Sequence, residues 1–267
     1  MQAEGQMSEL SRRDFSLLVG GILCCSCGRV AAQSDPSVCD AYFEATDGAA
    51  GSAIDYGSVT PLFADTSDDF DDDYRNSFVW VLADISNYFG LNVGFGLYTE
   101  ATIPNAAFVP VDLIKPFRPD LPSDGTILVG RKLLMETRRV TKNLGAALTA
   151  LCAHEGGHAL QRKHRLLYKF TTTGDPFFQV RYELCADFVC GYYGAHRVER
   201  QPNYPVLIQA ITQFRKGDQI FQPSGHGEPK DRADAVQAGV AFGQSRPGDG
   251  KAAVNAGVEY ALGLKLG

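Results

Sequence analysis

The chain has 267 residues, of which 45% are hydrophobic and 21% are charged, and this size and composition are typical of one globular domain with a buried core. Its net charge of −6 argues against nucleic acid or an anionic membrane surface as the partner, because both select for basic patches. No apolar run reaches the roughly 18 residues that a membrane-spanning helix needs, so we expect no such helix in the mature chain.

Residues 1–32 are predicted to be an export signal that is removed from the mature protein. Paired arginines in Ser11-Arg12-Arg13-Asp14-Phe15 precede an apolar stretch that ends at Leu23, and Val30-Ala31-Ala32 offers small residues for cleavage. The arginine pair with Phe15 resembles a bacterial twin-arginine signal, so we expect a periplasmic or secreted protein that folds before export. A lipoprotein signal fits less well, because no cysteine in this segment follows a Leu-small-small run. A disordered N-terminus is the other alternative.

Removal of this segment would leave four of the seven cysteines, Cys39, Cys152, Cys185 and Cys190. An even number of cysteines in an oxidising compartment permits two disulfides, and the sequence does not distinguish the three pairings that four cysteines allow. The alternative is that Cys152, Cys185 and Cys190 are small buried hydrophobic residues on helices.

Residues 33–69 are acidic and polar, and we expect a loosely structured segment there, followed by one domain that spans residues 70–267. The acidic run from Asp65 to Asp73 lacks the glycine and the distal glutamate of an EF-hand loop. We therefore expect its charge to favour the N-terminus of the next helix rather than calcium binding. Apolar residues at helical spacing from Tyr74 to Phe89 predict that helix, and Gly90 is expected to end it.

Three short strands and a series of helices are predicted after Gly90. The strands are Val93–Thr99, Asn105–Val109 and Thr126–Gly130, and prolines on both sides of the second one place it at a sheet edge or a turn. Helical periodicity predicts helices at residues 131–139, 144–160, 178–198, 205–214 and 231–242. The pattern predicts an α+β fold that is mostly helical.

His154-Glu155-Gly156-Gly157-His158 is the segment most indicative of chemistry. His154 and His158 lie four residues apart in a predicted helix, so both imidazoles share one face and can reach one tetrahedral ion. Glu155 projects near the same face, where it can take a proton from a water molecule that the metal acidifies. The pattern predicts one catalytic zinc ion, and the alternative is a pair of histidines on a helix surface.

A catalytic zinc site needs a third protein ligand, and His164 is the first candidate. It has the histidine spacing of the metzincin motif, but Gln161 replaces the glycine at which that chain turns back to the ion. A straight helix would place His164 about 9 Å beyond His158. No methionine follows downstream for the Met-turn of that motif, so we do not expect His164 to bind the metal.

Glu183 is the second candidate for the third ligand, and we favour it. Its carboxylate would complete a His2Glu site with one open position, which is a catalytic arrangement of zinc. Asp187 lies four residues further along the same predicted helix and can accept a hydrogen bond from the outer nitrogen of a ligand histidine. The alternative is an ordinary pair of acidic residues on a solvated helix face.

The HEGGH helix followed by Glu183-x3-Asp187 resembles gluzincin zinc metallopeptidases of the HtpX and CAAX-prenyl-protease type, and also the neutral zinc metallopeptidases of bacteria. Asn105-Ala106-Ala107-Phe108 is similar to their edge strand, Gly125–Gly130 to the strand that follows it, and His226–Arg232 to a downstream segment. The resemblance implies a zincin-like fold in which the edge of a small mixed sheet lies over the HExxH helix.

The resemblance also implies roles for residues outside the two metal motifs. A peptide substrate would extend along Asn105-Ala106-Ala107 by strand addition. His226 would hydrogen-bond the oxyanion that forms at the peptide carbonyl, and Arg232 would lie near the site or form an ion pair with a residue such as Asp187. The expected activity is that of an exported zinc-dependent endopeptidase. The alternatives are a noncatalytic zinc-binding or chaperone-like protein of the same fold, and a metal-dependent hydrolase of other bonds.

Overall fold

The computed structural model describes residues 60–61, 72–99, 106–114, 124–140, 144–172, 174–198 and 227–266. The predicted export signal, most of the 33–69 segment and the helix predicted at 205–214 lie outside these described residues. The same holds for Cys39 and for two candidate site residues, Asn105 and His226.

A small mixed sheet contains four short strands, which are β1 (Thr60–Pro61), β2 (Gly94–Tyr98), β3 (Ala106–Val109) and β4 (Thr126–Gly130). Their order is β1-β2-β4-β3, with β2 and β4 parallel and the other two pairs antiparallel. In the described sheet, β3 is therefore an edge strand, as the prolines that flank it predicted.

Helices make up most of the described chain. They are α1 (Asp72–Phe89), α2 (Val111–Ile114), α3 (Arg131–Val140), α4 (Leu144–Lys163), α5 (Leu167–Thr171), α6 (Phe178–Arg197), α7 (Pro229–Ser245) and α8 (Gly250–Gly263). Gly90 ends α1 with a φ of 63°, a left-handed conformation that glycine adopts without strain.

Two of these helices, α4 and α6, lie in the interior of the protein. Every residue from Ala146 to Gln161 is buried, and so is every residue from Val180 to Gly194. Helices that are buried on all sides need apolar or small side chains around most of their circumference, and both sequences supply them. The few polar side chains on these helices must therefore find their partners inside the protein.

Glycines allow α6 and α7 to cross with their backbones in contact. A Cβ atom on Gly191 of α6 would overlap the carbonyl oxygen of Val236, and one on Gly239 of α7 would overlap the carbonyl oxygen of Phe188. This close approach brings the first turn of α7, which carries Arg232, against α6.

The hydrophobic core lies between the sheet and the helices. It combines side chains from α1, β4, α4, α6, α7 and α8, including Leu82, Ile85, Ile127, Leu148, Leu184, Val236 and Val254. The helix that carries the HEGGH motif, α4, packs against α1, β4 and α6.

The described fold is mostly helical with a small mixed sheet, which confirms the α+β prediction at that level. Helices α2, α5 and α8 were not predicted. Cys152, Cys185 and Cys190 are buried thiols, which agrees with the alternative that they are small buried hydrophobic residues. Within the described residues, no helix combines the length and the hydropathy that crossing a membrane requires.

Candidate metal centre

His154 and His158 lie one turn apart on α4, and their Nε2 atoms approach Glu183 of α6. The distance is 3.2 Å from His154 Nε2 to Glu183 Oε2, and 3.5 Å from His158 Nε2 to Glu183 Oε1. One ligand atom from each of the three buried side chains lies within 4.8 Å of the others. The structure thus brings together the three predicted ligands in a group that could hold a metal ion.

The separations between these atoms fit a small divalent cation. Bonds of about 2.0–2.2 Å, as zinc forms with nitrogen and oxygen, place two ligand atoms of a tetrahedron about 3.3–3.6 Å apart. The distances of 3.2 and 3.5 Å between the histidine and glutamate atoms are close to these values. Three protein donors would leave one position of a tetrahedral ion for another ligand.

The two Nε2 atoms are also the polar atoms of the histidines that lack hydrogen bonds. In the part of the chain that the structure describes, neither His154 Nε2 nor His158 Nε2 has a hydrogen-bond partner, and both atoms are buried. Buried polar atoms without a partner are uncommon and call for an explanation such as a bound ion. Because the Nδ1 atoms of both rings are hydrogen-bonded, the pattern is that of metal-binding histidines.

Asp187 holds the His154 ring from the side away from Glu183. Its Oδ1 atom lies 2.9 Å from His154 Nδ1, and Arg232 donates two hydrogen bonds to the same carboxylate, from Nε at 2.6 Å and from Nη2 at 2.7 Å. Burial alone would raise the pKa of Asp187, but Arg232 and His154 hold it well below its usual range. Asp187 is therefore an anion that keeps a proton on Nδ1 of His154, and Arg232 is its ion-pair partner.

Gln161 makes the corresponding contact with His158. Its Oε1 atom lies 2.8 Å from His158 Nδ1, and its Nε2 atom donates a 2.8 Å hydrogen bond to the backbone carbonyl of Tyr182. The Tyr182 ring stacks on the His158 ring with centroids 4.7 Å apart and planes inclined by 17°. The second histidine is thus held by groups from both α4 and α6.

Glu155 lies beside the three candidate metal ligands and contacts the sheet edge. Its Oε2 atom accepts a 2.8 Å hydrogen bond from the backbone amide of Phe108 in β3. Its Oε1 atom is buried and, among the described residues, has no hydrogen-bond partner. The carboxylate is therefore fixed by one oxygen while the other is available to accept a proton or a hydrogen bond.

Negative charge exceeds positive charge in this buried cluster. Among the described residues, this cluster contains three carboxylates, those of Glu155, Glu183 and Asp187, and one guanidinium, that of Arg232, and all four side chains are buried. Burial raises the pKa of Glu155, and the charge of Glu183 acts in the same direction. For His158, burial would lower the pKa, but the Glu183 and Glu155 carboxylates and the hydrogen bond with Gln161 together raise it to about 9. Both shifts indicate a need for positive charge that a divalent cation would meet.

The two glycines of the HEGGH segment face two different helices. A Cβ atom on Gly157 would lie 2.9 Å from the Cα atom of Ala186 in α6, and one on Gly156 would lie 2.8 Å from the ring of Phe89 in α1. Gly157 thus makes room for the helix that carries Glu183, and Gly156 makes room for α1.

Other candidate residues are near the site or outside the described chain. The turn after α4 contains His164, which is not in the metal-binding group, so the preference for Glu183 over His164 agrees with the geometry. Ala106 and Ala107 lie in β3, beside the Phe108 amide that binds Glu155.

Sequence reasoning did not identify Gln161, Tyr182 or Phe108 as contacts of the site. The i,i+3 spacing of His158 and Gln161 was the one available signal.

Comparison with known proteins found no matching protein-family model, no matching curated protein and no matching solved structure. The candidate metal centre therefore rests on its own geometry, which consists of the three donors, the hydrogen-bonded outer nitrogens and the excess of buried carboxylates.

Proposed function

We propose that the protein is a zinc-dependent endopeptidase with a zincin-like fold. The observation that carries this proposal is the His154, His158 and Glu183 donor set with the Glu155 carboxylate beside it. Two imidazole nitrogens and one carboxylate suit zinc, and catalytic zinc sites have three protein ligands where structural sites have four. When bound, the zinc ion would polarise a water molecule and the substrate carbonyl.

Glu155 is the proposed general base. The Phe108 amide donates a hydrogen bond to Oε2. The other oxygen, Oε1, has no hydrogen-bond partner among the described residues, so it can accept a proton from a water molecule. A carboxylate with one oxygen held and the other able to accept a proton suits the group that takes a proton from the attacking water and returns it to the leaving amine. The peptide would lie along the edge strand β3, which places its scissile bond near Glu155.

Export to the periplasm or the exterior is part of the same proposal and is supported by the twin-arginine pattern of residues 1–32. The buried thiols agree with folding in a reducing compartment before export, because none of the three described cysteines is in a disulfide.

A noncatalytic zinc-binding protein is the second candidate, and one observation favours it. Glu155 is 0% exposed and one of its oxygens is already bound to the Phe108 amide, so the carboxylate could serve only to balance charge. The two candidates make different predictions for Glu155→Gln, which retains an oxygen for the Phe108 amide but cannot act as a base.

The test compares zinc content and peptide cleavage for the wild type, Glu155→Gln and Glu259→Gln, an exposed glutamate on α8 that serves as the matched control. For a peptidase, Glu155→Gln retains zinc and loses activity by about 10²-fold or more, while Glu259→Gln behaves as the wild type. Equal cleavage by Glu155→Gln and the wild type would contradict the role of Glu155. A zinc-loaded wild type that cleaves no member of a broad protein and peptide library would favour the noncatalytic candidate.

A further inference from the structure

The hydrogen bonds around Gln161 determine which nitrogen of His158 carries the proton. The backbone carbonyl of Tyr182 can only accept, so the amide group of Gln161 that faces it at 2.8 Å must be its NH2 group. The side-chain oxygen of Gln161 then faces His158 Nδ1, also at 2.8 Å. Because that oxygen can only accept, Nδ1 must donate a proton. In the neutral ring, Nε2 is left with a lone pair, and it is the atom that approaches Glu183.

The burial of Gln161 makes this arrangement hard to change. The residue is 0% exposed, so water does not compete for either end of its amide. Gln161 lies three residues after His158 on α4, and its partner Tyr182 immediately precedes Glu183 on α6. The Gln161 amide therefore links α4, which carries His154 and His158, to the residue that precedes Glu183 on α6.

The two histidines are held by partners of different charge. His154 donates to the Asp187 carboxylate, whose charge is balanced by Arg232, whereas His158 donates to a neutral amide. A second carboxylate at position 161 would add to the excess of buried negative charge around Glu155 and Glu183. A neutral amide supplies the acceptor that His158 needs without adding another buried negative charge.

We propose that Gln161 is a positioning residue that fixes the tautomer and orientation of His158, so that its Nε2 lone pair is directed at the cation. This inference rests on the proposed metal site and adds to it the residue that prepares the second histidine. Outer partners of this kind typically change metal affinity by about 10- to 100-fold when they are removed.

The test uses full-length protein and zinc itself as the probe, in competition with a chromophoric chelator. Gln161→Met has a similar length but no amide, and Gln161→Glu retains an acceptor for the Nδ1 proton. Thr149→Val is the matched control, because Thr149 is another buried polar residue of α4 and, among the described residues, its hydroxyl bonds within its own helix. Circular dichroism of the metal-free variants checks that each one folds.

We expect Gln161→Met to bind zinc about 10- to 100-fold more weakly than the wild type, and Thr149→Val to remain within about tenfold of it. Gln161→Glu retains the acceptor for Nδ1 but loses the donor to the Tyr182 carbonyl, so its loss of affinity should be smaller than that of Gln161→Met. In the zinc-loaded proteins, the Nδ1 proton of His158 should exchange faster with solvent in Gln161→Met, as seen by NMR. The Nδ1 proton of His154, which Asp187 holds, should be unchanged and serves as the internal reference. A general loss of packing would instead speed the solvent exchange of both Nδ1 protons.

Wild-type zinc affinity in Gln161→Met, or equal losses in Gln161→Met and Gln161→Glu, would overturn the positioning role. If Gln161→Met does not fold, the comparison of Gln161→Glu with the wild type still tests whether an acceptor at this position is sufficient. A wild type that binds no zinc would instead contradict the proposed function, and a wild type that binds zinc but cleaves nothing leaves this test of Gln161 intact.

Discussion

Replacement of Gly157 by alanine tests how closely the metal centre depends on the contact between α4 and α6. The added Cβ atom would lie 2.9 Å from the Cα atom of Ala186 and 3.2 Å from its carbonyl oxygen. Ordinary van der Waals contact begins at 3.4 Å, so α6 would have to move away by about 0.5 Å. Overpacking of this kind costs about 1–3 kcal/mol, and the better helix propensity of alanine returns about 1 kcal/mol. We expect Gly157→Ala to be destabilised by up to about 2 kcal/mol.

The movement of α6 would affect zinc more than it affects the fold. Glu183 and Asp187 both lie on α6, while His154 and His158 lie on α4, so a shift of one helix changes the distances between ligands. Metal sites tolerate deviations of about 0.2 Å in their bonds, less than half of the required shift. We therefore expect zinc affinity to fall by about tenfold or more, measured by chelator competition beside urea unfolding of the metal-free protein.

Gly145→Ala is the matched control because it lies in the same helix, is exposed, and its added Cβ would meet no atom within 4 Å. That variant should be stabilised by up to about 1 kcal/mol and bind zinc as the wild type does. The difference in unfolding free energy between the two alanine variants isolates the overpacking at Gly157 and should be about 1–3 kcal/mol. The reasoning would be refuted if the two variants had equal stability and equal zinc affinity.

Three further substitutions test the ligands, their support and the helix crossing. Glu183→Ala should lose bound zinc while His164→Ala retains it, as metal analysis of the purified proteins would establish; the reverse result would exclude the proposed ligand set. Asp187→Asn should weaken zinc binding about 10- to 100-fold and, because it removes the negative charge that faces the buried Arg232 guanidinium, lower the unfolding free energy by about 3 kcal/mol. Gly239→Ala should be destabilised by at least about 1–3 kcal/mol in urea unfolding, since its Cβ would overlap a backbone carbonyl of α6, and unchanged stability would contradict the described crossing.

The parts of the site that follow from one helix could be predicted from sequence. The i,i+4 spacing puts His154 beside His158 and Glu183 beside Asp187, whatever the rest of the fold does. The choice of Glu183 over His164 also depended on a local property, because Gln161 gives α4 no reason to turn back at that position. The helix continues to Lys163, and the turn that contains His164 begins only after it.

Contacts that depend on how elements approach each other could not be predicted. The bond from Gln161 to the Tyr182 carbonyl exists because α6 lies against α4, and the bond from the Phe108 amide to Glu155 exists because β3 lies against that helix. Spacing along one segment carries no information about a backbone group on another. Sequence reasoning could identify which side chains were available, but it could not identify which backbone groups they would meet.

Helix α8 was missed for a different reason, which concerns composition. Its buried positions recur at helical spacing, namely Gly250, Ala253, Val254, Gly257, Val258 and Ala261. Four of these six positions are glycine or alanine, so a search for large hydrophobic residues does not register the stripe. The same small residues allow α8 to lie close to α6, where a Cβ on Gly257 would be 3.1 Å from the Cys185 sulfur.

Small residues connect the packing of the helices to the proposed chemistry. Gly157 lets α6 approach α4 closely enough for Glu183 to meet both histidines, and Gly191 and Gly239 let α7 approach α6 closely enough for Arg232 to reach Asp187. Each of these contacts brings buried charge together, and none would be stable with the helices further apart, because the carboxylates would then lack partners. A cation that binds only the folded protein adds RT ln(1 + [L]/Kd) to its stability, which is about 2.7 kcal/mol at 100 times Kd. We therefore infer that Gly157 and a bound cation would act on the same equilibrium: the glycine lets the Glu183 carboxylate approach Glu155, and the cation would offset the repulsion between these two carboxylates.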